Sequence, residues 1–198
     1  MPNNSEPPAL PPGVQRVIPA FRLGGWISFW IQVVLAVVAS IIFLFAILFE
    51  TSNSGASGGG SNPGTSAGIF FAVSGIIALL VSIYWSFRYT RLALQLKASQ
   101  ASLRPKKADA MQILRLGVIV NLVGMFLSLL AAESISGILL GKALQSQAAR
   151  FTVNVPMQQL IQPLDVFVIL ANTHTIFAHF IGLVTGLWVI NWITRDNS

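Results

Sequence analysis

The stretch that decides the fold is Asp165–Trp192, D-V-F-V-I-L-A-N-T-H-T-I-F-A-H-F-I-G-L-V-T-G-L-W-V-I-N-W. No Lys, Arg, Asp or Glu occurs from Val166 to Thr194. A helix needs about 20 apolar residues to cross a bilayer, so this run is long enough. It nevertheless carries an acid at its start, two histidines and two asparagines. Polar groups in a membrane span are costly and usually face the interior of a bundle. The other apolar runs are therefore expected to pack around this one.

Three more runs exist. Trp26–Phe49 is uncharged and is preceded by Arg16 and Arg22, with Trp26 and Trp30 where an interfacial aromatic belt belongs. Ala67–Phe87 is uncharged and ends Y-W-S-F. The third begins near Met111 and is uncharged from Leu116 to Ala132. A continuous helix from Met111 to Gln147 would measure about 55 Å, longer than a bilayer is thick. It is expected either to project into the far compartment or to break near Ser134–Gly137.

Composition agrees with four spans. Charged residues make up 9% of the 198 and hydrophobic ones 54%, with a mean hydropathy of +0.72. A soluble domain carries about 25% charged residues. The net charge of +6 does not point to nucleic acid, because the cations cluster beside apolar runs. With no cysteine, disulfides, thiolate metal sites and thiol catalysis are excluded.

The connections read as follows. Residues 1–20 hold six prolines and read as a disordered tail. They form neither a signal peptide nor a convincing transit peptide, which suits a bacterial or mature organellar chain. Thr51–Ser66 is a Gly/Ser linker. Residues 88–112 form a basic loop. Arg88, Arg91, Lys97, Arg104, Lys106, Lys107 and Arg115 are seven of the twelve cations, and Arg16, Arg22 and Arg195 share their side if four spans alternate. The positive-inside rule then puts both termini and this loop on the cytoplasmic or stromal face. Arg88, Arg91, Arg104, Lys106 and Lys107 either dock anionic lipid or a partner, or only set topology. Lys142 and Arg150 fall in the third loop. Asn154–Pro163 is a turn-rich connector, and Pro163 suits the first turn of the last span.

All-α, four spans (about 26–49, 67–88, 113–140 and 164–193), one membrane domain over 21–195: that is the expected architecture. It places Glu50, Glu133 and Asp165 together at the far interface, where carboxylates would attract cations. Asp165, Asn172, His179 and Gly186 recur every seven residues and share a helical face, while His174 points away from Asp165. Asp165 and His179 are about 21 Å apart along the helix, so one ion cannot bind both. Two uses of this ladder stay open: a cation or proton path, or hydrogen bonds between helices. Gly182 and Gly186 suit close helix contact, with Asn121 and Gly124 as possible answers from the third span. No catalytic constellation is present; neither histidine belongs to an H-E-x-x-H pattern.

Short segments carry a family resemblance: G-W-I-S-F-W at 25–30, W-S-F-R-Y-T-R-L at 85–92, N-L-V-G-M at 121–125, G-K-A-L at 141–144, L-D-V-F at 164–167 and H-F-I-G-L at 179–183. Together they resemble the four-span chloroplast inner-envelope family described both as a translocon component and as an iron permease, with its cyanobacterial relatives. Asp165 and His179 match that pattern; His174 and Glu133 depart from it. The resemblance implies residence in a cyanobacterial plasma or thylakoid membrane, or in the chloroplast inner envelope. It implies iron transport or homeostasis. Read onto the polar residues of this chain, Asp165 and Glu133 would capture the ion and Asn172 and His179 would line its path, with His174 as a further candidate. It equally implies a non-enzymatic subunit of a protein-translocation or membrane-complex assembly apparatus. Either way no cofactor beyond a transported iron ion is expected, and the four spans are expected to join a homo-oligomer or larger complex in the lipid bilayer.

Overall fold

The computed structural model describes residues 12–54, 63–98, 100, 104–148 and 161–195. They form four helices: α1 Pro12–Ser54, α2 Pro63–Leu96, α3 Lys107–Ala148 and α4 Pro163–Arg195. All four are long and apolar enough to cross a membrane. The protein is an all-α integral membrane protein with four spans.

Three of the helices after the first turn of sequence begin alike: Pro12, Pro63 and Pro163 each stand at a helix start, where the missing N–H would have no intrahelical partner. The apolar clusters fix the topology. At one end Ile18 and Phe21 of α1 meet Tyr89, Leu92 and Leu96 of α2, Ala110 and Leu114 of α3, and Val189 and Ile193 of α4. At the other end Phe43, Ala72, Ala131 and Ala171 pack together. The helices therefore run up, down, up, down. α1 packs on α2 and α4, and α3 packs on α2 and α4.

Between these ends the interior of the bundle is mostly small and polar, while the outside is apolar. The buried stripe on α2 runs Gly68, Ala72, Gly75, Leu79, Ser82, Ser86, Tyr89, Ala93 and Leu96, with Thr90 and Leu92 also buried beside it near the helix end; on α3 it runs Ala110, Leu114, Gly117, Asn121, Gly124, Ser128 and Ala131. Both sets step by alternating four and three residues. That is the 3.5-residue repeat of left-handed packing. Large apolar side chains such as Phe45, Phe70, Phe126 and Val34 point outward. In lipid there is no hydrophobic gain from burying them, so close approach of small residues holds the helices together.

Four expectations change. The Pro-rich tail does not reach residue 20, because α1 already begins at Pro12 and carries Pro19 inside it. Burial of Ile18, Ala20 and Phe21 on the other helix ends overrides the hydrogen bond that Pro19 cannot make. The linker is shorter than 51–66, since α1 continues to Ser54 and α2 starts at Pro63. The basic segment 88–112 is mostly helical: Arg88 and Arg91 lie on α2, and Lys107 opens α3. Of the two alternatives for α3 the unbroken one holds, with no break at Ser134–Gly137, and the fourth change is the loop placement of Lys142. α3 is one helix of 42 residues, about 63 Å long. Lys142 thus belongs to α3 and not to a loop. Arg150, most of the connector 154–163 and the Glu50 side chain lie outside the described residues.

Candidate functional site: a polar core shared by four helices

Each helix sends polar side chains to the middle of the bundle. α1 supplies Ser28 and Gln32, one turn apart; α2 supplies Ser82 and Ser86, also one turn apart. α3 contributes Asn121 and Ser128, and α4 contributes Asn172, Thr175 and His179. All are buried.

Gln32 and Asn121 are the hubs. Gln32 Nε2 donates to Ser82 Oγ at 2.8 Å, to Asn121 Oδ1 at 3.1 Å and to the Ala178 carbonyl at 3.1 Å. Gln32 Oε1 accepts from Ser86 Oγ at 2.9 Å, and Ser86 reaches Ser28 at 3.0 Å. Asn121 Oδ1 also accepts from Ser82 Oγ at 2.7 Å, and Asn121 Nδ2 donates to the Gly117 carbonyl at 2.9 Å. The Gln32–Asn121 bond crosses the diagonal between α1 and α3. His179 joins the core through Nδ1, 3.3 Å from Asn121 Oδ1, and through Nε2, 3.1 Å from the Gly75 carbonyl.

Glycines make room for these groups. A Cβ at Gly124 would overlap the His179 ring, and one at Gly182 would overlap the Asn121 and Gln32 amides. A Cβ at Gly186 would meet Val118 at 2.7 Å. The four residues picked out for helix contact thus lie on facing sides of the α3–α4 seam.

The other residues of the ladder are placed as follows. Asn172 is buried, and its Nδ2 donates to the Ser128 carbonyl at 3.0 Å. Its Oδ1 is buried without a hydrogen-bond partner, as are His174 Nδ1 and the Tyr89 hydroxyl. His174 is half-buried and Glu133 exposed. Asp165 is engaged on both oxygens. Lys142 Nζ sits 2.8 Å from each of them, and the backbone N–H of Gln162 donates to Oδ2 at 2.8 Å. The last bond is half of a capping box at the start of α4. Asp165, Asn172 and His179 occupy one side of α4 at three depths and are not brought together. Among the described residues no three His, Cys, Asp or Glu side chains form a group suited to a metal ion.

The ion pair clasps the far ends of α3 and α4. Lys142 and Asp165 are 22% and 23% exposed, so water still screens them. A double-mutant cycle with Lys142→Met and Asp165→Asn is expected to give a coupling of about 1 kcal/mol that shrinks as salt rises. Chemical unfolding in detergent measures it. A coupling near zero at low salt removes the clasp.

At the opposite end Arg88 stacks over the Trp85 ring at 5.1 Å and Arg91 over Phe87 at 5.2 Å. Arg104 Nε donates to the Ala98 carbonyl at 2.9 Å and folds the connection back on the end of α2. Lys106 and Lys107 are exposed beside it.

Gln32, Ser28, Ser82 and Ser86 were not singled out by the sequence reading. Their signal was present: Gln32 is the only amide in Trp26–Phe49, and Ser28/Gln32 and Ser82/Ser86 are each spaced by four in apolar surroundings.

These features define a four-span integral membrane protein whose helices are joined by a shared polar core. The chain belongs to the family described as Protein of unknown function (DUF3611), which matches residues 11–194. It is similar to Protein TIC 21, chloroplastic, of Arabidopsis thaliana, being 38% identical over 128 residues. That alignment covers 63% of this chain and 43% of the relative. The resemblance carried by the short segments is thereby shown. No solved structure matches the chain.

Proposed function

We propose that this protein is a membrane permease for a divalent metal cation, with iron as the cargo to test first, and that it is not an enzyme. The observation that carries this reading is Asn172 Oδ1. An amide oxygen that is buried in the bundle and lacks a donor is an oxygen ligand without a partner. It lies about 10 Å along α4 from Asp165 and the same distance from His179. Asp165 supplies negative charge at the mouth, with Lys142 as the resident cation that an incoming one must displace; Glu133 lies about 13 Å before Lys142 along α3 and does not share that position. His179 is not assigned to the metal, because both ring nitrogens already face oxygens within the bundle. The relative, chloroplastic by name, supports a chloroplast membrane, with the inner envelope as the reading to test and a cyanobacterial plasma or thylakoid membrane as the alternative. Four spans offer little room for a solitary pore, so a homo-oligomer is part of this reading.

Proteoliposomes holding only this protein test it. Saturable uptake of labelled ferrous iron or manganese is expected, falling about tenfold or more in Asn172→Leu and Asp165→Asn. A folded, correctly inserted protein that moves neither metal would sink the permease reading.

A second reading rests on the stacked arginines. Arg88 and Arg91, fixed on aromatic rings beside Lys106 and Lys107, make a basic platform for a lipid headgroup or a partner protein. In that case the polar core is interhelical glue, and the protein is a subunit of a translocation or assembly complex. A stoichiometric partner lost on neutralising Lys106 and Lys107 favours it.

A further inference from the structure

His179 has no exposed surface and is wedged between α2 and α3, its ring against Gly124. Both of its nitrogens face oxygen: Nε2 the Gly75 carbonyl, Nδ1 the Asn121 side chain. The Gly75 carbonyl can only accept. The Asn121 amide could in principle be turned to present its NH₂ group. Two backbone carbonyls prevent that. Asn121 Nδ2 donates to the Gly117 carbonyl, so turning the amide would set oxygen against oxygen. Gln32 Nε2 donates both to Asn121 Oδ1 and to the Ala178 carbonyl, and turning Gln32 would create the same conflict at Ala178. Gly117 and Ala178 thus orient both amides, and Asn121 presents its oxygen to the histidine.

A neutral imidazole has one N–H and one lone pair. With Nε2–H donated to the Gly75 carbonyl, its Nδ1 lone pair faces Asn121 Oδ1, whose two acceptor positions already take Gln32 Nε2 and Ser82 Oγ. We propose that His179 is a proton-binding site whose neutral ring belongs to the docked bundle and whose protonated ring loosens it. The proton comes from water, forms an N–H bond on Nδ1, and returns to water when that bond breaks. Nε2–H ties α4 to α2. A proton on Nδ1 adds a charge with no acid opposite it, which the buried seam accepts only by opening to water.

No acid lies opposite that charge. From α1 the group facing this centre is Gln32, with Arg22 about 15 Å along that helix; from α2 it is Gly75, with Arg88 about 20 Å away. From α3 the groups are Asn121 and Gly124. Arg115 lies about 9 Å before Asn121, and Glu133 about 13 Å beyond Gly124; both are exposed. On α4 itself His174 is about 7 Å along the axis and turned to another face, and Asp165 is about 21 Å away. The Tyr89 hydroxyl, against Gly117 and Gly186, is one further titratable group on this seam, about 10 Å along α4. An ionisable residue so placed in a membrane marks a proton or ion step more often than a structural one. The inference adds a coupling ion to the proposed permease, yet it stands on the ring's own surroundings.

The test is nitrogen NMR of ¹⁵N-histidine protein, full length in phospholipid nanodiscs, titrated from about pH 8 to about pH 5. His174→Gln identifies the other ring. The His179 nitrogens are expected to pass from one neutral tautomer to two protonated positions with converging shifts. Asn121→Asp, which adds an acid at contact distance, should raise the ratio of charged to neutral ring at fixed pH about tenfold or more. Asn121→Leu should lower it. A wild-type ring that stays in one neutral tautomer until helicity is lost overturns the proposal, as does a ratio unmoved by Asn121→Asp. Iron uptake is not read in this experiment, so failure of the permease reading leaves its result intact.

Discussion

Gly124→Leu should cost the folded bundle roughly 3 kcal/mol or more, the largest single-residue effect expected in the membrane core. The first added carbon already overlaps the His179 ring. That ring cannot retreat, because Gly75 and Asn121 hold it on both sides. The remaining carbons must therefore push α3 and α4 apart, and every small-residue contact along that seam loosens with them. Gly137→Leu is the control: nothing lies within 4 Å of a Cβ there, so the change is expected to be close to neutral. SDS titration in mixed micelles, followed by tryptophan fluorescence, gives both values. Equal stability of the two variants would contradict the packing described here.

Gln32→Leu is expected to destabilise by about 2 kcal/mol. The substitution keeps a similar volume and is more apolar, so a purely hydrophobic account predicts a gain. Hydrogen bonds between membrane helices average about 0.6 kcal/mol each. Gln32 makes three at a time: its two N–H groups are shared among Ser82, Asn121 and the Ala178 carbonyl, and Oε1 accepts from Ser86, so it ties to three other helices. Their sum, together with the buried groups left unpaired, exceeds the gain in apolarity. The same mixed-micelle titration reads it, and a variant as stable as wild type would show that the amide is dispensable glue.

Gln32 also shows where sequence reading stopped. The four spans were legible because charge is nearly absent from them and the cations crowd their ends. The ladder Asp165–Asn172–His179 was legible because a period of seven keeps residues on one helical face. A search guided by charge passes over Gln32 and the serines, although their spacing of four on two helices marks a buried polar stripe. Small residues at alternating steps of four and three on α2 and α3 were equally readable as a packing seam. Other features were not available to any local reading. Pro19 argues against helix, and only the burial of Ile18 and Phe21 on distant segments overrides it. Lys142 and Asp165 are 23 residues apart, and their pairing follows from α3 continuing unbroken past Gly137. The hydrogen-bond directions at His179 depend on carbonyls from two helices and have no signature in sequence.

The inversion of small, polar interior and large, apolar exterior has a thermodynamic consequence. Separating these helices within a bilayer exposes Gly, Ala and Ser to lipid tails, not apolar surface to water. The heat-capacity increment that bends the stability curve of a soluble domain arises from hydrating apolar surface. For helix separation in this bundle that term is small. Its stability should vary almost linearly with temperature, without the cold-side decline that water imposes on soluble folds.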